Sequence, residues 1–285
     1  MLWVDPYGAA RKENEPCYGL TPAVTPAAVF DPSDCAAVIA CFNEARGIAS
    51  VVGAARRQVG TVLVVDDGST DGTGELARAA GAVVVRHPRN IGKGAALRTG
   101  LAEALRQGFA WAATLDGDGQ HAPADLPGLF RCAQETGAAL VIGNRMAEAG
   151  KMSWLRRRVN RWMSAQLSRH AGRTLPDTQS GFRLIHLRTW AAMRLEAERF
   201  EVESETLMAF LAAGRRVEFV PVQVLASGRG SYIRPVADTI RWVRWRAGLR
   251  RPSSEQFDRG GVDVIHVNRE VGAGRVEYGE RYLWK

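Results

Sequence analysis

The chain is built from short, wholly apolar runs that stop abruptly at polar or acidic residues and give way to stretches with helical spacing. Residues 35 to 42 (C-A-A-V-I-A-C-F) stop at Asn43 and Glu44, and residues 61 to 65 (T-V-L-V-V) run into D-D-G-S-T-D-G-T. A third run, Ala82 to Val85, precedes H-P-R-N-I-G-K-G and a stretch of good helix formers from Ala95 to Arg106. A fourth opens residues 111 to 121, W-A-A-T-L-D-G-D-G-Q-H. A strand with one wet face alternates in polarity, so continuously apolar runs of this length read as strands covered on both faces. Strands taking turns with helices predict a doubly wound, Rossmann-like α/β fold, with a mostly parallel central sheet and helices on both faces. Ligands of such sheets bind beyond the carboxyl ends of the strands, where Glu44, Asp67 and Asp116 are expected to converge.

The fourth run carries the most specific chemistry. Asp116 and Asp118 stand one residue apart at a strand end, with Gln120 and His121 just behind and glycines at 117 and 119 that let a bulky phosphate approach the backbone. Hard divalent cations take oxygen ligands and are commonly held by one or two carboxylates, with substrate phosphates completing the shell. Asp116, Asp118 and Gln120 are therefore candidate ligands for Mg²⁺ or Mn²⁺, and a solvated acidic turn is the alternative for an isolated pair. Lys93 in N-I-G-K-G is not a P-loop lysine, because G-x-x-x-x-G-K-[ST] is missing. It lies near a nucleotide or on the solvated surface.

Taken together and in order, F-N-E, V-V-D-D-G-S-T-D-G-T, N-I-G-K-G-A-A-L, D-G-D-G-Q-H, V-I-G-N-R and D-T-Q-S-G-F-R resemble the family 2 glycosyltransferases of the GT-A fold. The branch most similar contains the dolichyl-phosphate and polyprenyl-phosphate mannosyl- and glucosyltransferases. The resemblance spans about residues 35 to 248. Ala40 departs from the family's usual proline and Gly117 from its commoner alanine, and neither change removes a polar ligand. The resemblance implies a single GT-A catalytic domain and an inverting, metal-dependent hexosyl transfer from a nucleoside-diphosphate sugar, of the GDP-mannose or UDP-glucose type, to a polyprenyl phosphate. It also implies roles. Glu44 and Asp67 contact the base and ribose, or else cap the following helix; Lys93 lies near the nucleotide, and Asp116 doubles as a ribose contact. Arg145 faces a phosphate of donor or acceptor, and Arg156, Arg157 and Arg161 supply the acceptor-phosphate site in an open register, Arg157 and Arg161 being preferred with Arg145. His121 is read as structural. A hydroxyl acceptor is the runner-up, with a general base at Glu203 or Glu205, and a catalytically silent nucleotide-sugar-binding subunit is a further alternative.

Composition and charge refine the picture. A chain of 285 residues with 46% hydrophobic content can bury one substantial core. Its four cysteines, at 17, 35, 41 and 132, have no metal-binding spacing and read as buried thiols of a reducing cytosol. No apolar run reaches the ~18 residues of a membrane span, and no signal peptide opens the chain, so a cytoplasmic protein, peripheral on the cytoplasmic face of the membrane, is expected. The formal charge of +8 is concentrated in the second half. Such a face suits an anionic membrane surface or a phosphorylated acceptor, and no nucleic-acid-binding signature accompanies it.

Two basic segments have helical spacing, Trp154 to His170 and Pro235 to Leu249. In the second, Val236, Ile240, Val243 and Ala247 form one stripe and Trp242, Trp245 and Leu249 another, nearly opposite, with Arg241, Arg244, Arg246 and Arg250 between them. The tryptophan side is expected to meet a membrane interface while the other packs on the domain, unless both are buried. The domain limits follow: an extended arm over 1–33, the catalytic domain over 34–233, a basic interface helix over 234–251, and a tail over 252–285 whose alternating segments predict a hairpin. Oligomeric state is not set by the sequence.

Overall fold

The computed structural model describes residues 30–225 and 235–249. The apolar runs are strands in the expected order: β1 (Cys35–Cys41), β2 (Thr61–Asp66), β3 (Val83–Arg86) and β4 (Trp111–Asp116). Helices α1 (Ile48–Arg56), α2 (Thr73–Ala79) and α3 (Lys93–Arg106) fall between them, and α4 (Leu126–Thr136) follows. After β5 (Leu140–Asn144) come α5 (Trp154–Ala171), β6 (Arg183–His186), α6 (Leu187–Ala191), α7 (Val202–Ala212), β7 (Val217–Pro221) and α8 (Pro235–Ala247). The seven strands lie in the order β3-β2-β1-β4-β6-β5-β7. Every pairing is parallel except the two made by β6, which runs against both β4 and β5.

The continuous apolarity has the cause expected of it. Along β1, Cys35, Ala37, Ile39 and Cys41 join one core with α1 and α4, while Ala36 and Val38 join a second core with α3, α5, α7 and α8. Both faces of the strand are dry. Register brings the strand ends level, pairing Cys41 with Asp66 and Ala40 with Asp116, so the acidic residues that end the runs gather at one edge of the sheet.

Two expectations change. Residues 1–29 of the expected arm and the tail beyond residue 249 lie outside the described residues, but Phe30 is core, stacked on Phe130 with ring centroids 4.8 Å apart and edge-on to Trp111 at 5.3 Å. Residue 30, assigned to the arm, thus packs with the catalytic domain. In α8 the assignment of faces is reversed. Trp242 is 2% exposed and belongs to the second core, with Trp245 and Leu249 packed against it, whereas Ile240 and Val243 are exposed. The Val236 side chain lies outside the described residues. A large aromatic offers the greater apolar area to a core, and Trp242 also satisfies its indole N–H, which donates to Ser204 Oγ at 2.9 Å.

Helix α3 presents Lys93 to the site, and its seat depends on Gly100. A Cβ there would overlap Val38 Cγ1 and come within 3.1 Å of Val65 Cγ2. Alanine favours helix by about 1 kcal/mol over glycine, but overpacking against side chains fixed in the sheet costs about 1–3 kcal/mol. Gly100→Ala is thus expected to lower stability, read as a reduced midpoint in denaturant unfolding; an unchanged or raised midpoint would show that α3 shifts freely on the sheet.

Candidate active site

β4 ends at Asp116, and Gly117 follows in a turn where a Cβ would stand 2.8 Å from that of Cys41, so only glycine lets the turn lie on the end of β1. Gly119 has φ 73°, the left-handed conformation that reverses the chain. His121 then folds back. Its Nδ1 accepts the Asp116 backbone N–H at 3.2 Å, its Nε2 lies 3.7 Å from Asp116 Oδ2, and its ring stacks on Phe182. Burial pushes the imidazole down to about 4, so it is uncharged at neutral pH and acts as a brace for the turn. The structural role expected of it fits this geometry.

Lys93 is half-buried in the site. Its Nζ is 2.6 Å from Asp116 Oδ1 and 2.7 Å from Glu203 Oε1, joining the first turn of α3, the end of β4 and the first turn of α7. Burial opposes ionisation of Lys93 and of Asp116. Lys93 nonetheless holds Asp116 below the ordinary carboxylate range, and the two acids hold Lys93 charged. Asp118 differs: burial and the neighbouring Asp116 charge raise it, and its Oδ1 accepts only a local hydrogen bond, from the Gln120 N–H at 3.0 Å. Two close carboxylates of which one resists ionisation are an oxygen-donor pair that a hard cation would relieve. Among the described residues no cluster of three or more acids, histidines or cysteines could by itself hold a metal ion.

The other expected residues separate into groups. Asp67 is buried, and its carboxylate accepts the N–H groups of Ile91 (3.1 Å) and Gly92 (2.8 Å) and bonds His87 Nδ1 at 2.7 Å. Its work here is to hold the loop that delivers Lys93. Glu44 is buried beside it. The Glu44 N–H donates to Thr73 Oγ1, its carbonyl accepts from Gly47 and Ile48, and Asn43 Oδ1 accepts from Thr70 N, so F-N-E and D-D-G-S-T-D-G-T form one wall. Arg145 is buried and clamped bidentately on Asp177 (Nε to Oδ2 2.8 Å, Nη2 to Oδ1 2.9 Å). Its fork is thereby committed to Asp177. Gln120 Oε1 accepts from Arg156 Nη1 at 2.8 Å, so in this structure Gln120 holds that arginine.

Helical register resolves the arginines of α5. The buried face is Asn160, Met163, Ser164 and Leu167, and one turn before Asn160 on that face is Arg156. Arg157 sits on the flank and Arg161 is exposed. Arg156 is thus the α5 arginine that reaches Gln120, beside the aspartates. Two further residues had no role assigned from sequence. Asp177 and Arg183 bracket D-T-Q-S-G-F-R; Arg183 is buried and donates to the carbonyls of Ser180, Glu203 and Thr178, tying that loop to α7. Glu205 accepts from the N–H groups of Glu196 and Ala197, both at 2.9 Å, and so anchors a loop, leaving Glu203 as the acid of that pair in the site.

A family model described as glycosyl transferase family 2 matches residues 36–192. An undecaprenyl-phosphate mannosyltransferase of Micrococcus luteus is 32% identical over 75% of this chain and 96% of its own length. A UDP-N-acetylglucosamine–dolichyl-phosphate N-acetylglucosaminyltransferase of Methanococcus voltae is 26% identical over 66% and 84%. Among solved structures, glucosyl-3-phosphoglycerate synthase of Mycobacterium tuberculosis, in complex with Mn²⁺, UDP and phosphoglyceric acid, is similar in fold, with a TM-score of 0.59, 24% identity and 74% of each chain covered. With the sheet order, the paired aspartates at the end of β4 and a model match over more than half of its length, the chain belongs to glycosyl transferase family 2.

Proposed function

We propose that this glycosyltransferase moves a hexose, with inversion, from a nucleoside-diphosphate sugar of the GDP-mannose or UDP-glucose type to a polyprenyl phosphate at the cytoplasmic face of a membrane. The observation that carries the reading is the charge arrangement. Lys93, from α3, pairs with Asp116, Arg156, from α5, is held by Gln120 two residues after Asp118, and the one acid placed to serve as a base, Glu203, is held by Lys93. Two phosphate-bearing substrates need cations nearby, and a phosphate oxygen is already anionic and attacks without a base. The names of the polyprenyl-phosphate relatives support the same acceptor class.

Asp116 and Asp118 would hold Mg²⁺ or Mn²⁺, whose chemistry is to offset charge on a departing diphosphate. The wall of Glu44 and Asp67 borders the nucleotide side, and Arg156, presented from outside by α5, is the arginine best placed for the acceptor phosphate. A hydroxyl acceptor is the second reading, favoured by one observation: among the described residues no hydrogen-bond donor other than the Lys93 ammonium is seen on the buried Glu203 carboxylate.

Incubating the protein with Mn²⁺ or Mg²⁺, labelled GDP-mannose or UDP-glucose, and either polyprenyl phosphate or hydroxyl acceptors tests the reading. Transfer to the polyprenyl phosphate is expected, and Glu203→Gln should retain it within about tenfold. A base-dependent hydroxyl transfer would instead fall by about 10²–10⁴-fold. Asp118→Asn and excess EDTA should each abolish turnover, and full activity in EDTA would exclude the metal. Arg156→Lys should raise the acceptor KM by about tenfold with little change in donor KM, because lysine lacks the planar fork, whereas Arg161→Lys should change neither. Arg145→Lys should instead lower stability by about 3 kcal/mol or more through loss of the buried clamp on Asp177, read in denaturant unfolding. A loss of acceptor affinity at unchanged stability would return Arg145 to the phosphate site.

A further inference from the structure

With the tryptophan stripe of α8 turned toward the core, a different surface is left for contact outside the chain. The outward face of α5 exposes Trp154 (65%), Leu155 (47%) and Trp162 (44%), and that of α8 exposes Ile240 (48%) and Val243 (43%). The two helices adjoin, since Trp162 packs on Trp242 with ring centroids 5.4 Å apart. Arg158, Arg161 and Arg244 are exposed on the same two helices. Helix α5 contains no acidic residue. Large apolar side chains, tryptophan among them, interleaved with arginine are the composition of helices that lie in the plane of a bilayer surface. No helix among the described residues is long and apolar enough to cross a membrane.

We propose that the outward faces of α5 and α8 together form the membrane contact, with anionic lipid as the occupant. This rests on the polyprenyl-phosphate reading and adds to it the surface and the lipid charge. A second copy of the chain is the poorer occupant, because a two-fold contact through α5 would set an acid-free row of arginines against itself. Anionic headgroups offset that charge, and the indole rings suit the headgroup level. The first turn of α5 also delivers Arg156 to Gln120 at the aspartates. A membrane lying along α5 would thus bring lipid headgroups to the mouth of the site, where a chain-bearing phosphate need not leave the bilayer.

The test is co-sedimentation of the full chain with vesicles of phosphatidylcholine alone or mixed with phosphatidylglycerol. The wild type is expected to partition onto the mixed vesicles and to be released by salt. Trp154→Ser with Ile240→Ser, and separately Arg158→Glu with Arg244→Glu, should each weaken partition by about tenfold or more, whereas Trp245→Phe should not. The second pair lies wholly on the surface and keeps the test open if the first unfolds. Equal binding to neutral and mixed vesicles, or variants that bind like the wild type, would overturn the proposal. So would a change in mass by light scattering without a change in vesicle binding, which would assign the face to a second copy. Transfer to a short, water-soluble polyprenyl phosphate separates the two claims. If that transfer persists while vesicle binding fails the test, only the surface is wrong; if vesicles bind as expected but no polyprenyl phosphate accepts sugar, the reaction is wrong.

Discussion

The ammonium of Lys93, 2.6 Å from Asp116 and 2.7 Å from Glu203, is the point at which distant stretches of chain close on one another. Burial works against the charges of Lys93 and Asp116, so the ammonium depends on its two carboxylates, and each carboxylate on the ammonium, for a compensated environment. Much of the surrounding architecture serves to bring this lysine in. Asp67 and His87 grip the preceding loop. Gly94 lies so close to Ala197 and Glu198 that a Cβ would stand 2.6 Å from the Glu198 carbonyl carbon. Arg183, at the start of β6, donates to the Glu203 carbonyl and so fixes the first turn of α7.

This arrangement accounts for the division of labour between the two aspartates. Asp116 is neutralised from within the protein, while Asp118 is raised by burial and by Asp116 and has no cationic side chain within ion-pair distance among the described residues. One carboxylate is thus built into the frame and the other left with an electrostatic demand that a substrate-borne cation can meet. The same logic divides the arginines. Arg145 is committed to Asp177 inside the frame, and Arg156 reaches the site from a helix whose remaining arginines face outward.

No strand after β4 was foreseen; the first four were legible because burial on both faces leaves a one-dimensional trace, the unbroken apolar run, and because each run stops at the residue that reaches the binding edge. β6 was not, because four residues running against their neighbours leave no periodic signal, and its place between β4 and β5 is set by long-range pairing. The chemistry of the site was legible as residue types and less so as roles. The clamp of Arg145 on Asp177 joins residues 32 positions apart, and nothing local distinguishes a guanidinium turned inward from one offered to a phosphate. The inward face of α5 could be counted from its polar and small residues, Asn160 and Ser164, which mark it less clearly than leucines would. The two stripes of α8 were found correctly, but which one faces the core depends on the pocket that receives Trp242, including Ser204 Oγ, and that pocket is formed by another helix.

The account stands or falls on whether Lys93 and Glu203 are energetically one unit. A double-mutant cycle on thermodynamic stability measures this directly, using Lys93→Met, Glu203→Gln and the pair in denaturant unfolding. Removing the ammonium alone strands the buried Glu203 carboxylate and the half-buried Asp116 carboxylate and is expected to cost about 3–5 kcal/mol. The double variant should be destabilised by less than the sum of the single variants, leaving a coupling energy of at least about 1.5 kcal/mol. Additive losses within about 0.5 kcal/mol, or a Lys93→Met protein as stable as the wild type, would contradict a fold assembled around this ion pair.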